Sequence, residues 1–165
     1  MTAHVCSGLA LGSLWPGPAW TAAPAATVAH ALLDAVPHWD YTRSRLRIMW
    51  ATLDVAAAAA LLVAAGRRAH GRPRGGAALV AGAAAALPDL DVIDGLLPRR
   101  RMSAPRADIS PRTRWFPSHF HNFPHGEASP LVGTATQLVT MAVSVLIFLG
   151  RTKASPTPQS LPGRQ

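Results

Sequence analysis

The sequence predicts an all-α fold: a polytopic membrane bundle of about 4–5 apolar helices, with a His-, Pro- and Arg-rich loop before the last helix. Apolar residues make up 49% of the chain, whereas charged residues make up only 15%, well below the roughly 25% typical of soluble domains. The apolar residues also lie in long runs of Ala, Leu and Val, separated by segments rich in Pro and Gly.

The first two apolar segments are short. Thr2–Leu14 ends at the Pro- and Gly-rich stretch 15–20, and the next segment runs from about Trp20 to Val36 and stops at Pro37. A full span needs about 20 residues. We therefore expect either a tight helical hairpin or a first segment that only dips into the membrane. No Lys or Arg precedes Arg43, so the basic start of a signal peptide is missing.

Three later segments are better candidates for membrane spans. Ile48–Gly66 contains one charge, Asp54, and Leu131–Leu149 contains none. Between them, Gly75–Leu87 is Gly/Ala-rich and continues towards Leu97, and we expect it to pack against other helices through its small residues. Residues 1–150 are thus predicted to form one membrane-embedded domain, and the Pro/Ser/Thr/Gln-rich tail 151–165 is predicted to be disordered.

The net charge of +8 comes from fifteen Arg and one Lys. Such a charge suits anionic lipid, nucleic acid or a phosphate-bearing substrate, but no basic patch is interleaved with aromatic residues, so no nucleic acid is expected. Cys6 is the only cysteine, which excludes an intramolecular disulfide and thiolate metal clusters.

The acidic residues and histidines concentrate in three clusters. The first contains His30, Asp34, His38 and Asp40. His30 and Asp34 are four apart, so a helix presents both on one side, and Pro37 ends that helix. Imidazole with carboxylate suits Zn²⁺, Mn²⁺ or Fe²⁺. The alternative is a helix end with polar anchors at the membrane interface.

The second cluster, Asp89, Asp91 and Asp94, follows Pro88. Two carboxylates two residues apart can reach one ion or bridge two, although an N-cap is the alternative role. The third cluster contains His119, His121, His125 and Glu127 in a loop. In extended backbone His119 and His121 point the same way. An interfacial aromatic loop with incidental histidines is the alternative.

Membrane topology predicts that the three clusters meet. The second segment ends, the third begins and the fourth ends at one face, which we call the site face, and the histidine loop lies there too. His4 joins them if the first segment also crosses. We therefore expect a divalent metal bound by the ligands His30, Asp34, His38, Asp40, Asp89, Asp91, His119 and His121.

Three elements of the sequence together resemble a known family: His30-xxx-Asp34-xx-Pro37-His38, Leu87-Pro88-Asp89-x-Asp91, and a late histidine loop. They resemble the bacterial inner-membrane family described as membrane-bound metal-dependent hydrolases, over roughly residues 1–150. The resemblance implies a multi-pass protein of the inner (cytoplasmic) membrane with His30, Asp34, His38, Asp89, Asp91, His119 and His121 at its centre. The histidine motif of that family reads closer to His-Arg-x-x-Thr-His-Ser, whereas this chain has Ser118-His119-Phe120-His121.

The leading functional hypothesis is metal-dependent hydrolysis of an ester or phosphoester of a lipid or envelope precursor, because a bound metal acidifies water. His119, His121 or His125 would complete the shell or act as general acid or base, and the run Arg99-Arg100-Arg101 would grip phosphate or lipid headgroups. Two alternatives stay open: a metal-binding or metal-transporting membrane protein, for which Asp54 would matter more, and a small membrane scaffold.

Overall fold

The computed structural model describes residues 1–96, 115–119 and 123–153, and it is all-α. Six α-helices follow one another: α1 (Thr2–Leu14), α2 (Ala22–Asp34), α3 (Arg47–Ala69), α4 (Gly75–Ala86), α5 (Leu90–Leu96) and α6 (Pro130–Arg151). Short 3₁₀ turns cover Ala19–Thr21, Tyr41–Arg43 and Pro117–His119. The described residues contain no strand, only an isolated bridge between His38 and Glu127. The predicted fold class is confirmed.

Helix ends coincide with residues whose backbone cannot continue a helix. α1 ends at Trp15, which is extended because Pro16 follows. α6 begins with Pro130, and the Ser129 hydroxyl accepts a hydrogen bond from the Val132 N–H, which satisfies one of the free N–H groups of the first turn. Pro88 separates α4 from α5, so the fourth apolar segment is interrupted where the aspartates begin.

Small residues bring α1 against α4. Gly8 and Gly12 of α1 face Ala77 and Ala81 of α4, and a Cβ on Gly12 would clash with the carbonyl of Ala77. The backbones therefore approach more closely than larger side chains would permit, as in membrane helix pairs with small residues four apart. This packing is the one expected for the weakly hydrophobic segment that became α4.

In the described part of the chain, three helical segments are long and apolar enough to cross a membrane: Arg47–Ala69 (α3), Gly75–Ile93 (α4 with the start of α5) and Pro130–Arg151 (α6). Few residues of the first and last are buried within the chain, and apolar side chains such as Leu53, Val139 and Leu146 are more than half exposed. Monomeric soluble proteins rarely expose so much contiguous apolar surface. These helices indicate a membrane protein.

α1 and α2 form an antiparallel hairpin, one of the two predicted arrangements. Each has 13 residues, or about 20 Å at 1.5 Å per residue, shorter than a hydrocarbon core of about 30 Å. The start of α1 lies beside the end of α2, where His4 contacts Asp34. The hairpin packs on α4 and, through α1, also on α3 and α6.

The helix ends that carry the polar clusters lie at one face, as the topology predicted. Thr2 at the start of α1 contacts Asp54 near the start of α3, and Gly133 in the first turn of α6 lies against the backbone of His38. At the opposite face the Arg68 guanidinium, near the end of α3, donates to the Thr152 hydroxyl that follows α6. The site face is therefore a physical feature of the bundle.

Candidate metal centre

The buried carboxylate of Asp34 is the middle of the site face. Its side chain is 5% exposed, and three imidazoles surround it. His4 Nε2 lies 3.2 Å from Oδ1, while His30 Nε2 lies 3.1 Å and His119 Nε2 lies 3.6 Å from Oδ2. The four side chains come from α1, α2 and the turn Pro117–His119, so the fold, not one motif, assembles them.

Helix periodicity places His30 beside Asp34, as the sequence predicted. Residues four apart face the same side of a helix, and on α2 that side is turned into the bundle, where both are buried. The His30 Nδ1–H donates to the Ala85 carbonyl, 2.7 Å away. This bond to a carbonyl, which can only accept, assigns the proton of neutral His30 to Nδ1.

Asp91 holds the turn that carries His119. Its Oδ2 accepts hydrogen bonds from the backbone N–H groups of Trp115 and Phe116, both at 3.0 Å. The same oxygen lies 3.6 Å from His119 Nδ1, too far for a hydrogen bond. Asp91 was predicted as a metal ligand; the structure shows its carboxylate bracing the turn next to the centre.

Asp89 approaches the same centre from the end of α4. One of its oxygens forms a triad with His30 and His119 whose ligand atoms all lie within 4.8 Å of one another. Its Oδ2 is also 3.0 Å from the Met1 amine. Asp89 thus adds a second carboxylate to the three imidazoles.

Two further triads share these residues. His4, His30 and Asp34 form one, and Asp34, His38 and His125 form another, each within 4.8 Å. Asp34 belongs to both of these triads, and His30 belongs to the first of them and to the triad with Asp89 and His119. The three triads therefore form one continuous set of potential ligands. The described His/Asp groups can therefore hold a metal ion, in agreement with the predicted residue types.

Backbone hydrogen bonds dock His125 beside His38. The Gly126 N–H donates to the Asp34 carbonyl at 2.8 Å, and the His38 N–H donates to the Gly126 carbonyl at 2.7 Å. The two imidazole rings lie 5.0 Å apart. His38 is half-buried and His125 is exposed, so this triad forms the outer edge of the centre.

Unpaired polar atoms mark the centre. In the part of the chain that the structure describes, the buried side-chain nitrogens and oxygens without a hydrogen-bond partner belong to it: His4 Nδ1, His30 Nε2, Asp34 Oδ2 and His119 Nδ1, together with Asp89 Oδ2, which forms an ion pair with the Met1 amine. Buried polar groups are normally paired, because an unpaired one costs about 1–3 kcal/mol. Nitrogen and carboxylate lone pairs that converge in this way fit a divalent cation.

Charges in the centre are strongly coupled. Burial by itself raises the pKa of the Asp34 carboxyl, but the imidazoles of His119, His30 and His4 outweigh burial and hold that pKa well below its usual value. Burial lowers the pKa of His4, whose ring stacks on that of His30 with centroids 3.8 Å apart. Two stacked imidazoliums would repel each other, so an ionised Asp34 with a largely neutral His4 is the favoured state, which is also the state that binds metal.

Some predicted residues lie elsewhere. The Asp40 carboxylate accepts a hydrogen bond from the Thr42 N–H at 2.9 Å and caps the turn Tyr41–Arg43, apart from the three triads. His121, the Arg99-Arg100-Arg101 run and the tail beyond residue 153 lie outside the described residues. The sequence made His4 conditional on the first segment crossing, and the hairpin supplies it without a full span.

Asp54 forms hydrogen bonds with residues at the start of a neighbouring helix. Its carboxylate accepts hydrogen bonds from the Thr2 N–H and the Tyr41 hydroxyl, both at 2.9 Å, and contacts the Met1 amine at 2.9 Å. Asp54 therefore ties the start of α1 to α3, and it is not a member of the three triads. No spacing rule connects residues so distant in sequence.

Comparison of the chain with protein-family models, with curated proteins and with solved structures gives no match. Its function is therefore inferred from the geometry of the site face.

Proposed function

We propose that this chain is a multi-pass inner-membrane protein that binds a divalent metal at the site face and hydrolyses an ester or phosphoester of a lipid or envelope precursor. One observation carries the proposal: His30 Nε2 and Asp34 Oδ2 are buried, 3.1 Å apart and without hydrogen-bond partners. Because His30 Nδ1 donates to Ala85, the Nε2 lone pair of neutral His30 faces a carboxylate. Burial lowers the pKa of His30, but Asp34 and Asp89 outweigh burial and raise that pKa, so the site attracts positive charge at Nε2. A proton or a divalent cation there removes the repulsion.

The residues divide into inner and outer groups. His4, His30 and Asp34 would hold the metal, with Asp89 and His119 beside them. In such a donor set a divalent metal would supply Lewis acidity, which would lower the pKa of water and polarise a carbonyl or phosphoryl oxygen. Zn²⁺, Mn²⁺ and Fe²⁺ all accept imidazole and carboxylate ligands.

The outer edge supplies proton transfer. His38 Nδ1 lies 2.9 Å from the Val36 carbonyl, which fixes the tautomer so that the proton of neutral His38 is on Nδ1 and Nε2 is the acceptor. His125 lies next to it and is exposed. A partly exposed imidazole with an unprotonated Nε2 at the edge of a metal centre is suited to act as general base.

Metal transport fits the structure less well. A transport path needs ligands at successive depths across the bilayer, whereas all three triads of the described residues lie at the site face. Asp54 lies near the start of α3, and Thr2 and Tyr41 already donate hydrogen bonds to it. A scaffold role would leave the buried atoms of the centre that lack hydrogen-bond partners without an explanation.

Elemental mass spectrometry of the detergent-purified protein tests the proposal. The wild type should carry stoichiometric Zn, Mn or Fe, and Asp34→Asn should carry little. Asp40→Asn is the matched control, because Asp40 is a nearby aspartate outside the triads. A screen of lipid phosphoesters and esters should then show hydrolysis that a chelator abolishes. A folded wild type that takes up no metal would overturn the proposal, and a metal-loaded protein without chelator-sensitive hydrolysis would leave only a metal-binding role.

A further inference from the structure

A groove opens from the candidate metal centre onto the side of the bundle. It lies between α1, α2 and α6 and is open to the surface on one side. His4 and His38, each a member of one triad, line it together with Leu33 and Val36 of α2. The groove therefore connects the potential ligands with the outer surface of two helices.

The surface around the groove faces lipid. Leu32 of α2 and Leu138 and Val139 of α6 are 66%, 56% and 64% exposed. α6 is a candidate membrane span, so these side chains require an apolar surrounding. A molecule that enters the groove from this side comes from the bilayer.

A polar strip on α6 forms the far wall of the groove: Thr136, Gln137 and Thr140. The Thr136 hydroxyl donates to the Val132 carbonyl at 3.0 Å and that of Thr140 to the Thr136 carbonyl at 2.9 Å. Both hydroxyl oxygens remain able to accept. The Gln137 amide makes no hydrogen bond with the described residues and offers donors in an otherwise apolar span. Unpaired amides are costly at lipid-facing positions, so a polar ligand group there is favourable.

The polar composition of the groove favours an anion. Its lining contains two imidazoles, an amide and two hydroxyls, and no carboxylate. The metal proposed next to His4 would add positive charge. A phosphate group matches that positive charge and the free N–H donors of the Gln137 amide, and the apolar walls formed by Leu33 and Val36 match a hydrocarbon chain.

We propose that this groove is a lateral binding site for a membrane-lipid phosphoester, with the phosphate at the Gln137 amide beside the metal centre and the chain along α2 and α6. This inference rests on the proposed function, since it names the substrate class of the same centre. A soluble phosphate ester would gain nothing from the apolar walls, so a lipid is the favoured occupant.

Paramagnetic relaxation tests the groove directly. Protein loaded with Mn²⁺ is mixed with short-chain phosphatidic acid, and the phosphorus NMR linewidth of the lipid is measured. We expect strong broadening for the wild type and little for Thr140→Trp, whose indole fills the groove. Leu138→Trp places the same ring on the lipid-facing side of α6 and should broaden like the wild type. Bound Mn²⁺ is quantified in each sample.

Each outcome has a separate meaning. Broadening of inorganic phosphate as strong as that of the lipid would overturn the lipid assignment. Bound Mn²⁺ with no lipid broadening in the wild type would overturn the groove and leave the metal centre intact. If no Mn²⁺ binds, the metal proposal fails, and the groove is judged by calorimetric titration of the same lipid into metal-free protein.

The calorimetric titration does not depend on metal. Gln137→Leu removes the amide that would donate to the phosphate, and a hydrogen bond to a charged group corresponds to about a tenfold change in affinity. We expect Gln137→Leu and Thr140→Trp to weaken binding by about this factor or more, and Leu138→Trp to leave it unchanged. Equal affinity for all four proteins would overturn the proposal.

Discussion

His30 Nε2 lies 3.1 Å from Asp34 Oδ2, and neither atom has a hydrogen-bond partner within the described chain. Two residues four apart on α2 thus present a nitrogen and an oxygen to the same point inside the bundle. The Nδ1–H of His30 is committed to the Ala85 carbonyl, so only an added proton or a cation makes this contact attractive. The predictions below follow from this contact and from the residues that support it.

Replacement of His30 by Gln should abolish stabilisation by metal. The wild type should melt several degrees higher with saturating Zn²⁺ or Mn²⁺ than after chelation, because a ligand that binds only the folded state shifts unfolding by mass action. His30→Gln removes a nitrogen shared by two triads, so this difference should disappear. His70→Gln, in the exposed turn at the opposite face, is the control and should keep the shift. Circular dichroism melting gives the measurement; equal shifts in both variants would contradict the assignment of His30.

Asp91→Asn should weaken metal binding only modestly. Asp91 braces the turn of His119 through the N–H groups of Trp115 and Phe116, and changes to groups that orient a ligand typically cost about 10–100-fold in affinity. We expect a loss in that range for Asp91→Asn and a larger one for Asp34→Asn. Competition with a chelator of known affinity measures both. Equal losses would mean that Asp91 is itself a ligand, as the sequence predicted.

The two predicted roles of the aspartates after Pro88 show what the sequence can and cannot specify. Helix periodicity was sufficient to pair His30 with Asp34, and runs of apolar residues were sufficient to locate the three spans, since both depend on local spacing. The bracing role of Asp91 depends on backbone N–H groups 24 and 25 residues away, which any residue type carries. No side-chain pattern could therefore have predicted it.

Asp40 also shows that a side-chain pattern in the sequence does not specify which partner a carboxylate has in the fold. Its place beside His38 in the sequence suggested a fourth ligand in the first cluster. In the structure the chain turns after Trp39, and the Asp40 carboxylate accepts a hydrogen bond from the Thr42 N–H. Aspartate often forms such a short-range bond at the start of a turn, and its carboxylate is then used locally. The backbone of His38 and Trp39, just before the turn, packs against Gly133 of α6, a residue distant in sequence.

Gly12→Ala should destabilise the bundle. A Cβ at this position would collide with the carbonyl of Ala77, so α1 must move away from α4, and overpacking of this kind typically costs about 1–3 kcal/mol. We expect a lower melting temperature and, because His4 moves with α1, weaker metal binding. Gly150→Ala, where nothing lies within 4 Å of the added Cβ, is the control. A Gly12→Ala protein with wild-type melting would show that the two helices are not tightly apposed.

The contribution of Asp34 to the stability of metal-free protein should fall at acid pH. The folded-state pKa of Asp34 is lower than the ordinary value, so folding favours its ionised form. The stabilisation is complete above the unfolded carboxyl pKa of about 4 and is lost as the pH falls through the lower folded-state value. The difference in melting temperature between wild type and Asp34→Asn should thus shrink below about pH 4. If the difference in melting temperature grows as the pH falls, folding does not lower the pKa of Asp34, and the direction of the shift stated here is wrong.

Asp54→Asn should retain metal while the protein loses stability. The Asp54 carboxylate accepts hydrogen bonds from the Thr2 N–H and the Tyr41 hydroxyl. Burial, followed by the charge of Asp54, raises the pKa of Tyr41, so the Tyr41 hydroxyl stays protonated and remains a donor. Tyr41→Phe removes one of these bonds and should cost about 1 kcal/mol. Both variants should keep the metal content of the wild type by elemental mass spectrometry, because Asp54 lies outside the triads. If Asp54→Asn instead loses metal, or abolishes metal flux into proteoliposomes that the wild type supports, then Asp54 lies on a transport path and the hydrolase proposal yields to the transporter.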